Sequence, residues 1–191
     1  FYIKRKLYVH NMGHATCAYL GNLMGLDYIY ESIAVPEVRI LVQNAMQESE
    51  IALSRRYGAP MMDLQEHITD LLYRFTNKAL KDTCARVGGD PARKLSAQDR
   101  LIGSAKLVLE NGQVPAYIAV GAAAGLIRLM KEASEEKDAK ALLCETAQLQ
   151  EEDVLVSLIM EAYDRLTNGA DIAALRRMAE QNKAVSRKNI V

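Results

Sequence analysis

The chain has 191 residues, enough for one domain with a sizeable core. Half of them are hydrophobic (50%) and a quarter are charged (25%), which excludes intrinsic disorder as the main state. Lys+Arg and Asp+Glu both number 24, and this zero balance gives no electrostatic case for a nucleic-acid or anionic-membrane partner.

The chain opens on Phe1-Tyr2-Ile3-Lys4-Arg5-Lys6, without an initiator methionine, and the expectation is a fragment of a longer polypeptide. His10, Asn11 and His14 break any apolar region that a signal peptide would need. Met12 to Met24 is apolar and punctuated by Gly13, Gly21 and Gly25. Pro36 marks a helix start, and the apolar spacing from Val38 to Leu53 predicts a helix that ends at Gly58 and Pro60. A second helix is predicted from about Met62 to Leu80, with Leu64, Ile68, Leu71, Leu72 and Phe75 inward. Asp63 and Glu66 have the spacing of a capping box. Arg86 to Leu95 holds two glycines and an Asp-Pro pair and reads as a loop. Ser96, with Asp99 three residues on, is the expected cap of a helix through Leu109 that Asn111-Gly112 stops.

Pro115 starts Ala116 to Met130, which is apolar on nearly all faces and is expected to be the central buried helix. Its Gly121-Ala122-Ala123-Ala124-Gly125 run follows no strand, so it reads as close helix packing and not as a nucleotide loop. This longest apolar stretch, interrupted by Gly121, Gly125 and Arg128, falls short of a membrane span. Ser134 to Asp138 reads as a solvated charged turn. Helices are predicted over Ala139–Gln148 and Asp153–Leu166, then a short one capped by Asp171 before a fraying tail, Ser186 to Val191. No strand pattern persists, so the fold class is all-α with about seven or eight helices. Cys17, Cys84 and Cys144 are too widely spaced for a metal cluster or a disulfide framework and fit a reducing, cytoplasmic setting.

Two polar clusters could carry chemistry. In the first, Asn11 and His14 are neighbours on one helical face, and the long stem of Lys6 can reach the same pocket. An amine base, an amide and an imidazole suit proton removal from an alcohol. The same three residues also suit a lysine stem lying along apolar surface, an asparagine cap and a surface histidine. The second cluster is Arg86, Arg93 and Lys94, with Arg74, Asn77 and Lys78 upstream and Arg100 downstream. These cations fit a phosphate or carboxylate, or else a solvated loop whose arginines pair with Asp82, Asp90 and Asp99. His67 reads as exposed or capping, and Glu48, Glu50, Glu132, Glu135 and Glu136 read as solvated faces.

The segment Lys6-Leu7-Tyr8-Val9-His10-Asn11-Met12-Gly13-His14-Ala15 resembles the polyol-specific long-chain dehydrogenases. That family's pattern of Lys, four residues, Asn, two residues, His falls on Lys6, Asn11 and His14, and Cys17-Ala18-Tyr19-Leu20-Gly21 is similar too. A second block matches over Tyr73–Asn77, Asp82-Thr83, Arg86–Gly88, Asp90-Pro91, Arg93–Leu95 and Asp99–Leu101. The resemblance implies a two-domain enzyme. An N-terminal Rossmann domain would bind NAD, and residues 1–191 would be a single all-helical catalytic and substrate domain, similar to that of 6-phosphogluconate dehydrogenase. It implies reversible oxidation of D-mannitol 1-phosphate to D-fructose 6-phosphate, with no metal. Lys6 would be the base, Asn11 half of an oxyanion-stabilising pair and His14 a substrate-positioning donor. Arg86, Arg93 and Lys94 are expected at the sugar phosphate from their charge and loop position. Gly89 stands where the phosphate branch would carry a basic residue, which keeps mannitol and hexuronates such as altronate or mannonate open as substrates. A non-catalytic helical assembly module is the remaining alternative. The implied partners are the polyol and the Rossmann domain of the same polypeptide, without nucleic acid or membrane, and the isolated chain is expected to be inactive.

Overall fold

A computed structural model describes residues 1–133 and 137–188, and the side chains among them through residue 184. The regular elements among these residues are all helical, and the one extended pairing is an isolated bridge between Tyr28 and Thr83. The all-α expectation holds. Helix α1 (Tyr2–Arg5) runs through a π-helical segment, Lys6–Asn11, into α2 (Met12–Leu23). Then come α3 (Ile29–Ala34), α4 (Pro36–Tyr57), α5 (Met61–Phe75), α6 (Cys84–Val87) and α7 (Pro91–Lys94). The second half holds α8 (Ile102–Glu110), α9 (Ala116–Glu132), α10 (Ala139–Ala147), α11 (Val154–Thr167) and α12 (Ile172–Lys188). The excess over the expected count comes from short pieces, α1, α3, α6 and α7.

Helix α9 is the axis of the domain, buried continuously from Ala116 to Ile127 and packed by α2, α4, α8, α11 and α12. Its small-residue run lets α2 approach closely. A Cβ built on Gly121 collides with the buried Thr16 side chain, and one on Gly125 meets the Tyr19 ring at 3.0 Å. Gly121→Val should therefore destabilise the domain by about 1–3 kcal/mol through overpacking, read as a lowered thermal midpoint. An unchanged midpoint would show that the crossing can spread.

Several local expectations are corrected. Helix α5 begins at Met61 directly after Pro60, so Asp63 lies within the first turn and makes no cap. It ends at Phe75, because Thr76 Oγ1 donates back to the Tyr73 carbonyl and Asn77 caps a separate 3-10 turn, Lys78–Leu80. The supposed loop Arg86–Leu95 contains most of two single-turn helices. Thr83 Oγ1 accepts from Arg86 N, and Asp90, in the left-handed region at φ 55°, accepts from Arg93 N. Ser96 caps nothing: α8 starts at Ile102, and the Asp99 carboxylate is taken by Arg93 and Arg100. Asp171 does cap α12 through Ala174 N, but that helix has 17 residues and is not short. The expected turn Ser134–Asp138, with Glu135 and Glu136, and the end of the expected tail lie partly outside the described residues.

The largest correction concerns two acids. Glu48 and Glu50 are fully buried, not solvated. Both lie on α4, which is flanked by α5 and α9 and so has little free surface at its middle. Glu132, by contrast, is on the surface and pairs with Arg128 at 2.6 Å. Among the described residues no helix is long and apolar enough to cross a membrane, and no group of three or more His, Cys, Asp or Glu is placed to hold a metal.

Candidate active site

The helix that carries Lys6, Asn11 and His14 changes its winding inside the motif. Under α-helical winding, about 100° per residue, positions five apart stand about 140° apart around the axis. The π-helical bonding over Lys6–Asn11 widens the turn, which returns residues five apart to nearly one side. Lys6 and Asn11 bound that segment, and His14 follows Asn11 by three residues on the α-helical continuation. The segment is held from behind by buried Tyr8 and Val9, and Tyr8 Oη accepts from Lys4 Nζ at 2.8 Å.

In front of this face lies a cavity of about 300 Å³. Its polar lining is Asn11 and His14 from one side and Arg74, Asn77, Asp82 and Arg86 from the other. Phe75, Tyr30, Ile29 and Leu80 supply apolar wall, and His10 closes one edge. The volume is at the low end of small-molecule sites and fits a sugar phosphate.

Asp82 is set in place by main chain. Ile29 N donates to the Asp82 carbonyl at 3.0 Å, and Cys84 N donates to the Asp27 carbonyl at 2.8 Å, so the two segments clamp each other. Its carboxylate lies 3.4 Å from His14 Nε2 and also pairs with Arg86. The His14 ring stacks on Phe75 at 4.8 Å between centroids. Burial lowers the His14 pKa to about 4, against the opposing pull of Asp82. The imidazole is therefore neutral at neutral pH and offers one donor and one acceptor. His10 is also lowered, by burial first and then by the charges of Arg74, His67 and Lys6. Lys6 itself is exposed and is not part of the cavity wall.

The second cluster divides. Arg86 reaches the cavity, but Arg93 and Lys94 do not line it. Arg93 pairs with Asp90 at 2.6 Å and Asp99 at 3.2 Å, and Arg100 pairs with Asp99 at 2.8 Å. Lys94 is only 5% exposed and gives its ammonium to the Gly89 carbonyl. These pairs are the loop-pairing alternative read from the sequence, and they tie the segment to itself. Sequence reasoning gave no site role to Asp82. It noted Arg74 and Asn77 only as neighbours of a basic loop, whereas Arg74 on the last turn of α5 and Asn77 just past its end both line the cavity.

The family model for the mannitol dehydrogenase C-terminal domain matches residues 1–174. Mannitol-1-phosphate 5-dehydrogenase of Thermoanaerobacter pseudethanolicus is 44% identical over 131 residues, covering 69% of this chain and 34% of that protein. The enzyme of the same name from Caldanaerobacter subterraneus subsp. tengcongensis is 38% identical over 174 residues, covering 86% of this chain and 45% of its own length. The chain thus spans less than half the length of these relatives. Among solved structures, mannitol 2-dehydrogenase of Pseudomonas fluorescens, in a ternary complex with NAD and D-mannitol, superposes with a TM-score of 0.74. It is 19% identical, and the match covers 94% of this chain and 41% of that one, which establishes a shared fold.

Proposed function

The chain belongs to the mannitol dehydrogenase C-terminal domain family, and from that premise we propose that it is the substrate-binding and catalytic half of an NAD-dependent dehydrogenase interconverting D-mannitol 1-phosphate and D-fructose 6-phosphate. The observation that carries the reading is the cavity, where Asn11 and His14 meet two arginines, Arg74 and Arg86, at the size of one sugar phosphate. The names of the more similar relatives point to the same substrate.

These residues do not themselves fit the dinucleotide. The Gly121–Gly125 run is buried mid-helix against Thr16 and Tyr19, so it presents no free amides to a pyrophosphate. A cavity of about 300 Å³ is also too small to enclose NAD with a sugar. A Rossmann domain of the same polypeptide would hold NAD, the hydride acceptor, over the open side where Lys6 stands exposed. The reducing cytoplasm suits the three free cysteines.

In this reading Lys6 takes the hydroxyl proton during oxidation and returns it during reduction. Asn11 and neutral His14 hold the reacting oxygen as charge develops on it. Arg86 and Arg74 face the phosphate, with Asp82 holding Arg86 until the anion arrives. Arg93 and Lys94 act on substrate only through the fold of their loop.

A second reading, an unphosphorylated polyol or a hexuronate, draws on the Asp82–Arg86 pair, since it leaves less net positive charge for a phosphate. Steady-state kinetics of the full-length enzyme separates the two. A charge-assisted contact is worth about 1.5–3 kcal/mol, so Arg86→Ala should raise the KM for mannitol 1-phosphate about tenfold or more and leave mannitol little changed. An equal loss on both substrates would favour the second reading, and no NAD-linked turnover of any polyol would leave the assembly module.

A further inference from the structure

The opening helix leaves its apolar side chains in water. No residue of α1 is buried, and Tyr2 and Ile3 are 74% and 83% exposed. A helix of 4 residues does not hold by itself, and α1 persists because it runs without a break into the π-helical segment. Phe1, also exposed, meets the Tyr57 ring at the end of α4, 5.8 Å between centroids, and the Tyr2 ring at 5.3 Å. Tyr57 is exposed in its turn, and so are Met61 and Met62, which open α5 just beyond it. One charge sits within this apolar face: Arg5 lies over the Phe1 and Tyr2 rings, 5.6 Å and 5.3 Å from their centroids. Large apolar side chains gathered on one exposed face mark an interaction surface.

The position of the face identifies its partner. Ile3 and Lys6 are three residues apart on a continuous helix, so they stand side by side, and both are exposed. Whatever is seated on Ile3 therefore stands beside the Lys6 amine. The relatives hold more than half of their length outside the match, and the matching family model is that of a C-terminal domain. The rest of such a protein would precede this domain and join it at the Phe1 end, inside the face.

We propose that this face is the seat of the cofactor-bearing domain of the same polypeptide, and that seating on Ile3 sets bound NAD over Lys6. This rests on the dehydrogenase reading above. The surface that docks here is apolar opposite Phe1, Tyr2, Ile3 and Tyr57, and it turns a carboxylate toward Arg5, whose guanidinium the two rings already hold. Misplacing two intact halves relative to each other costs turnover and not binding, since the reacting groups then miss their alignment.

The test uses the full-length protein with Ile3→Gln, Tyr57→Gln and both together. Glutamine is uncharged, so it leaves the electrostatics around Lys6 alone, and Ile3 is too exposed for the change to disturb this domain's own packing. Calorimetry should show one joint unfolding transition in the unmutated protein and two in the double variant. Polyol turnover should fall about tenfold or more in the double variant with NAD affinity nearly unchanged, and Ile3→Leu should keep the original rate. Val154→Gln, an apolar-to-polar change at an exposed position of α11, should alter neither readout. Should Tyr57→Gln fail to fold, Ile3→Gln alone decides by the same readouts. One joint transition with full turnover in the double variant, two transitions already in the unmutated protein, or equal losses from Val154→Gln would overturn the proposal. A dimer that the double variant splits, with turnover unchanged, overturns it in favour of a second copy on this face. Inactivity of the unmutated protein on every polyol overturns the dehydrogenase reading and the placement of NAD with it, while the melting transitions still decide whether a domain docks here.

Discussion

On the proposed dehydrogenase reading, Lys6→Ala in the full-length protein should cut turnover by about a thousandfold, in the middle of the range that a positioned general base supplies, while NAD affinity stays nearly unchanged. Lys6 is the only amine on the π-helical segment, and the neighbouring Lys4 is engaged with Tyr8. In that reading Asn11 and His14, both on the cavity wall, would still hold the oxygen without Lys6, but no other amine of that segment would take its proton. His14 is a poor substitute, since its ring is buried, stacked on Phe75 and faced by Asp82. The pH–rate profile should also lose its ascending limb, which reports deprotonation of the base. Lys6→Arg should not recover the rate, because a guanidinium stays charged. A variant that keeps about a tenth of wild-type turnover would make Lys6 a structural residue.

What the sequence made legible, and what it hid, follows the range of each signal. Local signals read well. Pro36 and Gly58 bound α4 as expected, and Gly58 takes the left-handed conformation at φ 68°. The inward set Leu64, Ile68, Leu71, Leu72 and Phe75 is buried throughout. The glycines of α9 meet Thr16 and Tyr19, as close helix packing requires. Signals that depend on a distant partner did not read. Nothing near Glu48 or Glu50 in sequence announces burial, because their partners Tyr117, Lys183 and His67 lie on other helices. Arg93 and Lys94 looked like ligands for an anion, but Asp90, Asp99 and the Gly89 carbonyl already take them up. The motif Lys6, Asn11, His14 was visible as letters. The π-helical winding that gathers its first two members on one side was not, since no residue type in Lys6–Asn11 marks it.

Glu48→Ala should be the most damaging single change to stability, costing about 3–5 kcal/mol. The Glu48 carboxylate accepts from Tyr117 N at 3.2 Å, Ile118 N at 3.1 Å and Lys183 Nζ at 3.1 Å. Pro115, the cap residue of α9, offers no side-chain hydrogen bond, so Glu48 is what satisfies the first amides of the central helix. Alanine would strand two buried N–H groups and a partly buried ammonium at once, against a total stability of about 5–15 kcal/mol for a domain. The loss should depend on pH with a definite sign. Burial raises the Glu48 pKa from 4.5 to about 7, outweighing the pull of Lys183 and the two amides. The folded state then holds a proton that the unfolded state has released, so this group's stabilisation is full below pH 4.5 and fades as pH rises toward about 7. Chemical denaturation of wild type and Glu48→Ala across that window should show the gap widening as pH falls. Glu48→Gln, which keeps an acceptor but cannot ionise, should flatten the wild-type slope. A gap that instead widens as pH rises would mean that the charged carboxylate, held by Lys183 and the amides of α9, is the form the fold prefers.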